Sequence, residues 1–112
     1  MSVENGCEWV PYFVRRIDKM KGMGRNGPWI GGRLTQRPSE IFRRHVLVTP
    51  YPEDDVVEVA SAVGTDSLVL GSDWPHAEGM AEPVAYARLL EPLAPDDQRR
   101  ILRDNGLRIL RG

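Results

Sequence analysis

The sequence predicts an α/β protein built on parallel strands, and three observations carry that prediction. Two short apolar runs, His45–Pro50 and Ser67–Ser72, lack the alternation of a half-wet strand and suit strands buried on both faces. Segments of helical periodicity separate and follow them, and strands alternating with helices argue for βα units. Helix-start signals, proline or acidic residues, stand where each helix should begin.

From the N-terminus, a strand is expected near Val3. Trp9 to Met20 reads as a helix burying Trp9, Phe13, Ile17 and Met20, with Arg15, Arg16 and Lys19 in water. Pro11 is tolerated only in the first turn, so the helix starts close to it. Lys21 to Gln36 holds five glycines and one proline and reads as a long loop. Pro38 opens a short helix through Arg44. After the first apolar run, Glu53-Asp54-Asp55 forms an acidic first turn for a helix through Val63, and Gly64 is placed to cap it. After the second run, Pro83 opens a helix through Leu90. Pro95-Asp96-Asp97 opens another that buries Ile101, Leu102, Leu107 and Leu110, with an interruption at Asn105-Gly106.

Composition excludes several classes. With 112 residues, 41% hydrophobic and 28% charged, the chain is long enough for one small core. A net charge of −1, with arginine pairs scattered along the chain, favours neither nucleic acid nor an anionic membrane. No apolar run approaches the roughly 20 residues of a membrane span. The start has no signal-peptide character, and the single cysteine, Cys7, has no internal partner; a reduced, cytoplasmic setting is expected.

The informative stretch is Leu68-Val69-Leu70-Gly71-Ser72-Asp73-Trp74-Pro75-His76. Ligands in parallel α/β folds bind at the carboxyl ends of strands, where loops converge. An acid just off a buried strand costs desolvation energy unless it is paired or bound to metal. Asp73 therefore reads either as a site carboxylate or as a turn-capping residue. His76 shares its neighbourhood, as a pocket residue or as structure. Ser72, Asp73 and His76 do not form a hydrolytic triad, because Ser72 and Asp73 point to opposite faces of a strand. Gly22-Met23-Gly24-Arg25-Asn26-Gly27 fits the dinucleotide glycine pattern but follows a helix and precedes Pro28-Trp29, the wrong context for a pyrophosphate. It reads instead as an active-site loop, with Trp29 lining a substrate mouth or packing on the surface.

The Gly71-Ser72-Asp73-Trp74-Pro75-His76 motif resembles the final-strand motif of the amidohydrolase-related family, in the metal-dependent branch that includes aminocarboxymuconate semialdehyde decarboxylase. Glu4 to Pro11 resembles the end of the family's sixth strand and the next helix. Pro38-Ser39-Glu40-Ile41-Phe42 resembles its Pro-Ser-Glu-aromatic-Phe segment, and Leu102 to Gly106 its closing Leu-Gly-Asp-Asn-Ala. The resemblance implies a (β/α)8 TIM barrel of which this chain holds about strands six to eight. It also implies a divalent metal, usually zinc, held by a His-x-His pair from strand one, a His from strand five and the strand-eight Asp. Asp73 takes that last role, as metal ligand and proton-handling catalytic group, while Glu4, Trp74 and His76 stand as substrate-binding positions.

Two departures accompany this. Glu4 stands where the decarboxylase branch has a His in a His-Gly-Gly-Gly run. The only histidines are His45 and His76, so there is no His-x-His, and Met1 falls where the sixth strand should be under way. The expectation is the C-terminal portion of a metal-dependent hydrolase or decarboxylase of a small carboxylate or carbonyl substrate, with an incomplete active site. The alternative is a non-catalytic fragment, or an α/β module that self-associates through exposed sheet edges.

Overall fold

The computed structural model describes residues 5–24, 32–77 and 79–112. The expected strand at Val3, together with Glu4 and Trp29, lies outside them. The first helix, α1 (Trp9–Met23), keeps Pro11 in its first turn. Its buried face is Val10, Pro11 and Val14, with Ile17 partly buried. This corrects the expected stripe: Met20 is 54% exposed, and Trp9 and Phe13 are the rim of the face rather than its centre. Both rings instead meet Phe42 of the next helix, at centroid distances of 6.2 and 5.6 Å. Such aromatic contacts add about 0.5–1.5 kcal/mol beyond area burial.

Helix α2 (Pro38–His45) begins at its proline, as expected. Glu40 Oε2 accepts the amide of Arg37 just before it. Asp18 of α1 completes the start, accepting the amide of Ser39 at 2.9 Å and its hydroxyl at 2.6 Å. Helix and carboxylate thereby satisfy each other, one supplying free N–H groups and the other negative charge. Because α2 runs through His45, that residue is helical and not the first of a strand, and the Val46 amide still bonds back to Phe42 O.

Helix α3 (Val56–Val63) is capped by Asp55, whose side chain accepts from the Glu58 amide at 2.9 Å. Gly64 ends it at φ 84°, a left-handed conformation that costs a glycine little. A 3-10 turn, Thr65–Ser67, follows. The Ser67 hydroxyl donates to the carbonyls of Arg43 and Val63, tying the turn to α2 and α3.

The two apolar runs meet in parallel. The Val48 amide donates to Ser67 O at 2.9 Å, and the Val69 amide to Val48 O at 3.0 Å. This is one isolated bridge, Val48 to Leu68, and among the described residues no longer strand forms. On the other side of the second run the positions are also filled. Leu68 O accepts the side-chain amide of Asn105, and the Leu70 amide donates to Ile101 O.

Pro83–Leu90 is a 3-10 helix rather than an α-helix. The C-terminal helical segment comprises α4 (Pro95–Arg99), a π turn (Arg100–Asp104) and α5 (Asn105–Arg111). Asn105-Gly106 does not break it: Asn105 is buried and sits within the helical run. Ile101 is buried and Leu102 and Leu107 partly so, whereas Leu110, expected in the core, is 83% exposed. The core gathers Val10, Val14, Val48, Val59, Leu68, Tyr86, Leu90 and Ile101 between the helices and the bridge. No helix among the described residues is long and apolar enough to cross a membrane.

Candidate functional site

Parallel pairing sends both runs out at the same end of the bridge. After Val48 the chain passes through Thr49 and Pro50 to Tyr51; after Leu68 it passes through Leu70 and Gly71 to Asp73. The two exits lie against each other, since a methyl group on Gly71 would stand 2.5 Å from Thr49 Cγ2. Only a residue without a side chain fits there.

Asp73 adopts φ 52°, a left-handed conformation uncommon outside glycine. The following loop folds back on it. His76 donates its amide to Asp73 O at 2.8 Å, Gly79 donates to His76 O at 3.0 Å, and Met80 donates to Ser72 O at 2.8 Å. Gly79 lies directly on the Asp73 carbonyl, with no room for a Cβ. Trp74 and Pro75 are joined by a cis bond inside this loop.

The side chains of Asp73 and His76 face each other loosely, with Oδ2 and Nδ1 3.8 Å apart and side-chain exposures of 36% and 73%. At that distance and exposure the pair is a weak, water-screened contact. Trp74 is 65% exposed beside them. The three residues singled out around the motif therefore share one surface loop, while Glu4 lies outside the described residues.

The segment after Glu4 nonetheless has a defined seat. A single carboxylate oxygen, Asp54 Oδ2, accepts the Cys7 amide at 2.8 Å, the Cys7 thiol at 3.2 Å and the Tyr51 amide at 2.6 Å. Gly6, at φ 56°, packs so close that a side chain would meet the Tyr51 ring and the Asp54 carboxylate. Asp54 thus clasps the segment leading into α1 to the loop leaving the bridge. It is not part of a helical first turn, as its place between Glu53 and Asp55 suggested. Burial, then the neighbouring Asp54, pushes the Cys7 thiol well above its ordinary range, which disfavours the thiolate that would act as a nucleophile. Tyr86, buried nearby with its hydroxyl 3.5 Å from Pro50 O, is pushed up in the same way by burial.

The donor set bears on a metal. Among the described residues, no three His, Cys, Asp or Glu side chains come together in a way that could hold an ion. Asp73 with His76 provides at most two donors, short of the three or four that a protein zinc site uses. His45 lies at the end of α2, exposed. A cleft of about 340 Å³ between α1, α2 and α3 is lined by residues including Asp18, Arg37, Ser39 and Arg43, and by none of Asp73, Trp74 or His76.

Comparison with known proteins adds the wider frame. Residues 22–112 match the protein family described as Amidohydrolase. The crystal structure of an amidohydrolase from Mycobacterium avium subsp. paratuberculosis K-10 superimposes with a TM-score of 0.83 and 36% sequence identity. The match covers 96% of this chain and 27% of that one. No curated protein matches the chain.

Proposed function

The chain belongs to the amidohydrolase family, and on that premise we propose that it forms the C-terminal part of a TIM-barrel hydrolase in which Asp73 handles the proton of the reaction. The observation that carries the reading is the position of Asp73, at the exit of the second of two parallel-bridged runs, the end where such folds build their sites. Hydrolysis is the favoured reaction: the matched family is described as amidohydrolase, and Glu4 replaces the His of the decarboxylase branch.

The substrate is a small carboxylate or carbonyl compound. A divalent ion of the kind the family uses, zinc foremost, would supply Lewis acidity there. The described residues do not hold such an ion by themselves. Asp73 Oδ2 accepts a proton from the attacking water and returns it to the leaving group, a role that suits a half-exposed carboxylate with a histidine 3.8 Å away. His76 and Trp74 line the same loop and contact the substrate. Glu4 stands as a further substrate contact at the mouth.

The test is Asp73→Asn in a polypeptide that joins this chain to upstream barrel units, assayed for hydrolysis and for decarboxylation. A loss of roughly 10²–10⁴-fold in kcat is expected for a general acid–base group. Full activity in the variant would remove the residue on which the reading rests. The alternative that the 112-residue chain is itself non-catalytic would be excluded by equimolar zinc retained after dialysis of this chain.

A further inference from the structure

Many of the chain's arginines are spent on its own acceptors. Arg43 grips Ala62 O, Arg99 and Arg103 meet Asp104, Arg100 meets Asp97, and Arg108 reaches Asp66 O. Arg33 and Arg37 differ. Both are exposed, and among the described residues neither side chain makes a hydrogen bond or closes an ion pair. They line one cleft of about 420 Å³, together with Asp18, Lys21, Gly22 and Pro38, between the end of α1 and the start of α2.

The other charges of the cleft are already directed. The Lys21 ammonium donates to Gln36 O at 2.6 Å and to Thr35 O at 3.4 Å, which fixes it and leaves one of its three protons. Asp18, the one carboxylate, is turned to Ser39, whose amide and hydroxyl it accepts. Arg37 acts on Asp18 only across space, helping to hold it charged. Three cations against one carboxylate leave the cleft two charges positive, in a chain whose net charge is −1.

We propose that this cleft binds a phosphate group, carried by a small phosphomonoester or as the free ion. A phosphate bears about −1.5 to −2 charge at pH 7, which matches the excess. Guanidinium forks suit its oxygens in pairs, and an ammonium adds a point charge. A monocarboxylate would leave positive charge uncompensated and offers two oxygens to three cations. The side chains carry the site, because the start of α2 is already taken by Asp18. Gly22 supplies room: a methyl there would meet no atom within 4 Å. A nucleic acid fits less well, given the chain's negative net charge. No residue of the Asp73 loop lines the cleft, so the proposal does not depend on the role given to Asp73.

The test is calorimetric titration of the 112-residue chain at constant ionic strength with inorganic phosphate, phenyl phosphate and acetate. Phosphate or phenyl phosphate should saturate one site, the tighter of the two naming the source, with acetate at least about tenfold weaker. Arg33→Gln and Arg37→Gln should each weaken binding at least about tenfold, the loss of one charge-assisted hydrogen bond. Gly22→Glu sets a carboxylate in the wall where it displaces nothing, and should weaken binding similarly with circular dichroism unchanged. That variant keeps the test open if Arg37→Gln misfolds. Arg111→Gln, at an exposed arginine outside the cleft, should leave the affinity as it is. Absence of saturable binding would overturn the proposal, as would an affinity indifferent to both Arg33→Gln and Gly22→Glu. An equal loss in Arg111→Gln would reduce the site to diffuse charge. Single-stranded RNA bound through Arg33 by a chain that ignores phosphate would replace the ligand class altogether.

Discussion

The side-chain amide of Asn105 donates to the carbonyl of Leu68 at 2.7 Å across 37 residues of sequence, and the same nitrogen donates to Thr65 O at 2.8 Å. One buried side chain thus satisfies two carbonyls beside the parallel bridge. Asn105→Ala leaves both carbonyls without that donor at a buried site, which costs about 1–3 kcal/mol. Urea unfolding followed by circular dichroism should give a lower midpoint with an unchanged m-value. An unaltered midpoint would mean water replaces the amide at no cost.

Gly71 and Thr49 form a second testable contact. Gly71→Ala drives a methyl into Thr49 Cγ2 and should destabilise by roughly 1–3 kcal/mol, the range of overpacking. Thr49→Ser removes that methyl and should restore much of the loss, so the double variant should be more stable than the two single changes add up to. Strict additivity in the cycle would place the damage elsewhere.

What was legible in the sequence divides by range. Pro38 and Gly64 declare helix ends through their own backbone chemistry, and the structure puts both where that chemistry demands, whereas Asp55, expected inside an acidic first turn, is the cap that precedes it. The buried stripe of α1 is not legible from residue size: the smaller Val10, Pro11 and Val14 are buried, while Trp9, Phe13 and Met20 are exposed. The apolar runs read as strands from β-branched content alone, yet pairing depends on neighbours far along the chain, and only Val48 and Leu68 meet. The clasp at Asp54 spans 47 residues and the two bonds of Asn105 span 40 and 37, beyond the reach of any local pattern. At the candidate site, the shared loop of Asp73, Trp74 and His76 was readable because a motif is local. The seat of Gly6 and Cys7 against Tyr51 and Asp54 was not.

Asp18 gives the molecule an acid-sensitive joint. Partial desolvation pushes its carboxyl up, but the hydroxyl and amide of Ser39, then Arg37 and Arg43, outweigh that and hold it below its ordinary value. A carboxyl lowered on folding contributes stability that is present above its unfolded pKa of about 3.9 and lost as pH falls through the lower folded value. The urea midpoint should therefore fall more steeply below about pH 4 in the parent chain than in Asp18→Asn. Parallel curves for the two proteins would show that the α1–α2 joint does not titrate with unfolding. Asp104, also lowered despite partial desolvation by bonds from Arg99 and Arg103, remains in both proteins and cancels in the comparison.

Cys7 reports on the clasp. Buried, and donating its thiol to Asp54, it should react with a maleimide at least about tenfold more slowly in buffer than in urea. Asp54→Ala removes the acceptor of three bonds and should raise the rate in buffer. Equal rates before and after that change would mean the segment stays seated by packing alone.

The order in which the chain is made gives the Leu68–Leu70 edge a further meaning. Ribosomal synthesis delivers Leu68 37 residues before Asn105, the residue that covers its carbonyl. For that interval the outer side of the nascent run presents bare amide and carbonyl groups, a template on which another extended chain can add. The C-terminal helical segment is thus the part that withdraws the template on that side of the run.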